Sequence, residues 1–89
     1  MDIEYTIHIL SEGDQFVAHA LPLDVMSSGN TPDEARKALY EAVELFLDTA
    51  AGMGTLDEIL SETGYEFEDG KWKSPKWVAV ERHSAYLAM

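Results

Sequence analysis

His8 and His19 are the side chains of this sequence best placed to do chemistry together. Each falls on the polar side of an alternating segment, and a turn at Gly13-Asp14 sets them directly across from one another. Two imidazoles so placed can bind zinc, but a zinc site takes three or four protein ligands. No third ligand is placed by spacing, so ordinary cross-strand polar pairing is the expectation. His83 has no motif around it. Trp72, Trp77 and Tyr65 stand among Lys71, Lys73 and Lys76, the residue types of a base-stacking groove. That patch is small and ringed by negative charge, so a hairpin packing its aromatics on the core is expected instead. No nucleophile triad, glycine-rich phosphate loop or cysteine–histidine cluster occurs, and no catalytic, metal or cofactor-binding residue is assigned.

The totals narrow the field further. Eighty-nine residues make one domain, 1–89, with a thin core, and an apolar share of 46% suits a folded chain rather than a disordered one. There is no cysteine, hence neither a disulfide framework nor a thiolate metal site. The N-terminus lacks the layout of a signal peptide, and no apolar run approaches the roughly 20 residues of a membrane span. A cytoplasmic protein is expected. Charge is the strongest signal: 17 acids against 6 bases give −11. Residues 1–70 hold sixteen of the acids with only Arg36 and Lys37, a balance of −14, whereas residues 71–89 carry +3. Direct nucleic-acid binding through the main body would bring like charges together. Such a surface serves solubility, or it matches a basic partner.

These residues need elements to hold them. Ile3, Tyr5, Ile7 and Ile9 alternate with polar residues, the period of a half-buried strand. After the turn, Phe16, Ala18 and Ala20 continue on a second strand, on the isoleucine face. Leu10, Val17 and Leu21 share the opposite face with the histidines, to be covered by the short helix, by the small hairpin or by a partner. Pro22 ends or edges the second strand, and a third runs from about Asp24 to Ser28. From Pro32 to about Ala51 the period turns helical: Ala35, Ala38, Leu39, Ala42, Val43, Phe46 and Ala50 form one stripe, widened by Tyr40, Leu45 and Leu47. Thr31, Pro32 and Glu34 supply a cap, a first-turn proline and a capping box. Thr55 and Glu58 suggest a second capping box on a short helix that stops near Gly64. Asp69-Gly70 marks a hairpin turn, and Trp77-Val78-Ala79-Val80 begins a last strand running to about Leu87. The expected fold is α+β: β-β-β-α, a short α, a small hairpin and a final β, a sheet of about four main strands backed by one long helix. The last strand is expected parallel to one of the first three.

In this order the chain resembles the HicB-like antitoxins. The matching residues are Tyr5-Thr6-Ile7, then Gly13-Asp14-Gln15-Phe16-Val17-Ala18, then Ser27-Ser28-Gly29-Asn30-Thr31-Pro32-Asp33-Glu34-Ala35, and Glu41-Ala42-Val43-Glu44-Leu45-Phe46-Leu47. They cover roughly residues 3–50, and Trp77 to Arg82 looks like the family's later strand. The resemblance implies a partial ribonuclease-H-like fold without nuclease activity. It also implies self-association into a dimer or higher homo-oligomer, and a small basic HicA-like ribonuclease toxin as partner. Where the family commonly reads Pro-Gly-Cys, this chain has Leu23-Asp24-Val25. It reaches Met89 without a helical tail for a C-terminal DNA-binding domain, so operator binding is not expected.

A ribonuclease-H-like sheet also raises the question of carboxylates holding two divalent metals. Glu4, Glu44 and Glu81 lie on the first strand, the long helix and the last strand, but Glu4 and Glu44 alternate away from the apolar faces and nothing obliges the three to meet. The reading is therefore a non-catalytic antitoxin that occludes its toxin. The candidate partner-binding residues are Asp24, Val25, Met26 and Ser27 on an edge segment, and Glu41, Glu44 and Asp48 on the helix. The alternative is a solitary self-associating binding or regulatory module without a toxin.

Overall fold

Alternation in the first thirty residues produces a three-stranded antiparallel meander in the computed structural model, which describes residues 1–89. The N-terminal strand comes in two pieces, β1 (Asp2–Ile3) and β2 (Thr6–Glu12), followed by β3 (Gln15–Leu21) and β4 (Val25–Gly29). Strand order is β2-β3-β4, with Ile7 opposite Ala20, Ile9 opposite Ala18 and His8 opposite His19. The turn between β2 and β3 has two residues. Gly13, the first of them, has φ +63, a conformation that favours glycine.

The long helix α1 (Pro32–Gly52) lies across the isoleucine face of this meander. Its start is built as the sequence predicts. The Glu34 amide donates to Thr31 Oγ1 at 3.0 Å, and the Asn30 amide donates to Glu34 Oε2 at 2.9 Å. The carboxylate thus reaches one residue further back than in the usual box. Gly29 makes the junction possible. A Cβ there would stand 2.6 Å from the Ala35 nitrogen and 2.7 Å from the Glu34 Cβ. Only a residue with no side chain lets the end of β4 run so close to the first turn of α1.

A short helix α2 (Leu56–Glu62) and a hairpin of β5 (Glu66–Glu68) and β6 (Lys71–Lys73) complete the fold. Asp69 and Gly70 both have positive φ, 53° and 77°, the pattern of a type I′ turn. β6 runs parallel to β1, with Ile3 opposite Trp72, and β5 flanks it to give a second sheet in the order β1-β6-β5. Ten residues are buried and all are apolar; nine of them, including Leu39, Leu60, Tyr65 and Trp72, form one cluster. α2 and the hairpin therefore pack into the same core as α1, and neither covers the histidine face. The Trp72 indole nitrogen is buried without a hydrogen-bond acceptor.

Three expectations need correction. The expected single sheet of about four main strands is instead two three-stranded sheets, because the N-terminal strand breaks between Ile3 and Thr6 and its two pieces pair with different partners. Thr55 does not cap α2; its hydroxyl donates instead to the Ala50 carbonyl at 3.4 Å, closing the end of α1. Residues 74–89 form no strand, so the expected strand from Trp77 to about Leu87 is absent and the parallel neighbour of the N-terminal strand is β6. The cause is local. Pro75 offers no amide, and the Trp77 indole is drawn over the histidine face. Its ring lies 5.0 Å from that of His8, and its Nε1 donates to Thr6 Oγ1 at 2.8 Å.

Two measurements check this packing. Gly29→Ala should force β4 and α1 apart and lower stability by about 1–3 kcal/mol in urea unfolding. The Tyr65 hydroxyl donates to the Glu4 carbonyl between β1 and β2. Burial first, then the charges of Glu4 and Tyr5, pushes its pKa from 10.0 up to about 12. Between those values the unfolded chain gives up the proton and the folded chain keeps it. Stability should therefore be whole below pH 10 and fall as pH rises toward 12, by on the order of 2 kcal/mol. Tyr65→Phe should flatten that alkaline slope.

Candidate functional site

The edge segment starts at a tight turn after β3. The Asp24 amide donates back to the Ala20 carbonyl at 2.8 Å, and Asp24 itself sits at φ +64. A left-handed backbone at this position favours glycine. Aspartate tolerates the conformation better than most residues. Here its carboxylate is also held from outside, because His19 Nε2 donates to Asp24 Oδ1 at 2.6 Å. From Asp24 the chain enters β4, whose Val25, Met26 and Ser27 pair with Ala20, His19 and Ala18 of β3. β4 has no strand on its other side. Met26 is exposed, while Val25 and Ser27 are half-buried.

Glu41, Glu44 and Asp48 lie at i, i+3 and i+7 on α1, all exposed. Residues three and four apart share a helix face, so the three form one acidic row, and like charges there weaken the helix slightly. None of them takes part in an ion pair or a side-chain hydrogen bond. Across the whole chain the side-chain contacts between acidic and basic residues are Arg36 with Asp33, His19 with Asp24, and His83 with Glu81. Three carboxylates out of 17 are therefore paired, and the negative charge remains open to solvent. No hydrogen bond or ion pair links the acidic row to the β4 edge.

Beside the acidic row runs an apolar groove that the sequence hints at through its over-wide stripe. Leu45 is 69% exposed and borders it, with Phe46, Ala50, Met53 and Ile59. Tyr40 is exposed as well, whereas Leu47 is half-buried against the core. The carboxylates weighed as metal ligands are not brought together. Glu4 Oε1 accepts from the Ser74 amide at 3.3 Å, Glu44 projects from α1, and Glu81 pairs with His83. No three His, Asp or Glu side chains converge where they could hold a metal ion. His8 and His19 do face each other, as their spacing predicts, but each turns to another partner, Trp77 and Asp24 respectively. The roles of two residues named from the sequence were not foreseen. Asp24 acts as a conformational stand-in for glycine, and Trp77 is a lid on one end of the histidine face.

No family model, curated protein or solved structure matches this chain. No helix is long and apolar enough to cross a membrane.

The turn supplies its own test. Asp24→Ala keeps the left-handed backbone but removes both the tolerance and the imidazole contact, so it should cost about 1–2 kcal/mol. Asp24→Gly should stay within about 0.5 kcal/mol of the parent, because relief of the backbone offsets loss of the contact. Paired urea titrations distinguish the two.

Proposed function

We propose that this chain is a non-catalytic HicB-like antitoxin that binds a small basic RNA-cleaving toxin and covers its RNA-facing surface. The observation that carries the reading is the uncompensated acidic row Glu41, Glu44 and Asp48 on a helix fixed at its start by Gly29 and Thr31. Ordered charges of one sign with no internal partner lower the helix's own stability and favour a partner of the opposite sign. Two further features support it. The β2-β3-β4 meander crossed by α1 is compatible with a partial ribonuclease-H-like domain, and the residues of the resemblance between Tyr5 and Leu47 fall on or beside those elements, whereas Trp77 to Arg82 forms no strand. The open edge of β4, entered from Asp24, offers unpaired backbone groups to a partner.

In this reading inhibition is steric and electrostatic. The acidic surface steers a basic toxin into contact, and contact denies the toxin its negatively charged RNA. The antitoxin supplies no bond-making group. A second reading, a self-associating module without a toxin, draws on the exposed apolar side chains of residues 77–89.

Co-expression with a small basic protein encoded beside this gene should relieve that protein's toxicity. The complex should weaken steeply between low and about 1 M salt, as the screening length shrinks to about 3 Å. Reversing the row (Glu41→Lys, Glu44→Lys, Asp48→Lys) should weaken binding roughly 10- to 100-fold by calorimetry. The reading is lost if no complex forms at low salt, or if the reversed row binds as tightly as the parent.

A further inference from the structure

We propose that the cavity between β1 and α1 receives an arginine side chain presented by a basic protein. The proposal rests on the antitoxin reading for its partner, and it names the group by which that partner is anchored.

The cavity measures about 370 Å³, near the lower end of the roughly 300–1,000 Å³ of small-molecule sites. Its floor is apolar. Ile3 on β1 and Leu47 on α1 are half-buried, and Val43 between them is buried. Tyr40, Val43, Glu44 and Leu47 lie at i, i+3, i+4 and i+7, so one face of the helix passes from apolar floor to acidic rim. Tyr5 completes the lining from the sheet side, just past the break after Ile3.

The chemistry of this lining selects the occupant. Asp2 and Glu44 supply its only charged side chains, and both are acids. Neither of them, and neither tyrosine hydroxyl, makes a side-chain hydrogen bond or ion pair within the chain. Burial first, and then Tyr40, raises the Tyr5 phenol above its ordinary 10.0, an effect that needs the two phenols close together. Aromatic faces beside carboxylates attract a cation, and an apolar floor accepts its hydrocarbon stem. Arginine suits this better than lysine. Its flat guanidinium stacks on a ring, its fork of donors engages carboxylates, and it gives up water more readily than an ammonium. No lysine, arginine or histidine occurs between Lys37 and Lys71, so the surrounding helix surface adds attraction and no competitor.

The chain's own groups leave the cavity open. Lys37, one turn before Tyr40, and Lys71, opposite Asp2 in the β1–β6 ladder, are outside the lining. Arg36 is held by Asp33. The α-amino group of Met1 is the one cation on a lining residue, and two carboxylates outweigh it. The segment that projects after Trp77, with Val78 96% and Tyr86 93% exposed, contributes no lining residue either.

Nuclear magnetic resonance titration of the full chain with N-acetyl-arginine amide, N-acetyl-lysine amide and free arginine tests the cavity. The capped arginine should give saturating shifts confined to residues 1–5 and 40–47, and should bind at least about 3-fold tighter than the capped lysine. Tyr40→Ala should weaken it at least about 3-fold, whereas Tyr40→Phe keeps the ring and should stay within about 2-fold of the parent. Tyr40 carries no charge, so its substitution separates the cavity from the general pull of the acidic row. In the complex with the basic neighbour, Tyr40→Ala should cost roughly 10-fold in affinity and Tyr40→Phe little. A complex that Tyr40→Ala leaves at parental affinity overturns the arginine anchor while the antitoxin reading stands. If no complex forms, that reading falls, and the capped-arginine titration still decides the cavity. Shifts that fail to saturate, or that spread over the whole acidic surface, overturn the proposal. So does tighter binding of free arginine than of the capped form, which marks a site for the amino acid itself.

Discussion

Gly29 leaves no room for a side chain, and at that point the end of β4 and the first turn of α1 meet backbone to backbone. Much else follows from this contact. It sets the distance at which α1 lies on the meander, so Ala35, Leu39 and Val43 reach Ala18 and Ala20 with small side chains on both surfaces. The helix start is then locked by Thr31 and Glu34 on either side of the junction. Because the helix direction is fixed there, the apolar stripe faces inward and the row of Glu41, Glu44 and Asp48 faces out. The same short segment that folds the chain therefore aims its charge.

Aiming matters because the interior is small. With ten buried residues, the chain has little stability to set against the mutual repulsion of its acids. A surface so weakly compensated works against folding rather than for it. The apolar groove bordered by Leu45 and Met53 lies beside the row, and such mixed surfaces are what protein partners commonly use.

Much of the architecture was legible in local signals. Strict alternation through Ile9 and a glycine in the turn gave the register that sets His8 opposite His19. The stripe and the Thr31-Pro32 start gave α1 almost to the residue, and Asp69-Gly70 gave the hairpin. The failures are all competitions that composition cannot weigh. Thr55 carries the signature of a cap, but the end of α1 is nearer and takes its hydroxyl. Trp77 begins an apolar alternating run, but its indole finds an acceptor and an aromatic neighbour off the sheet plane. The parallel place beside the N-terminal strand went to β6, whose Trp72 is buried in the core. Of the candidate surface, the residues could be named from type and spacing. That Asp24 holds a left-handed backbone could be seen only in the folded turn.

The two tryptophans are left in opposite surroundings. Trp72 is 7% exposed, its indole nitrogen buried without an acceptor, whereas Trp77 is 48% exposed at the root of the projecting segment. The chain thus contains two intrinsic fluorophores, one emitting from an apolar medium and one from a half-exposed, hydrogen-bonded site. Blue and red edges of a single emission band then follow the interior and the tail separately, without any label attached.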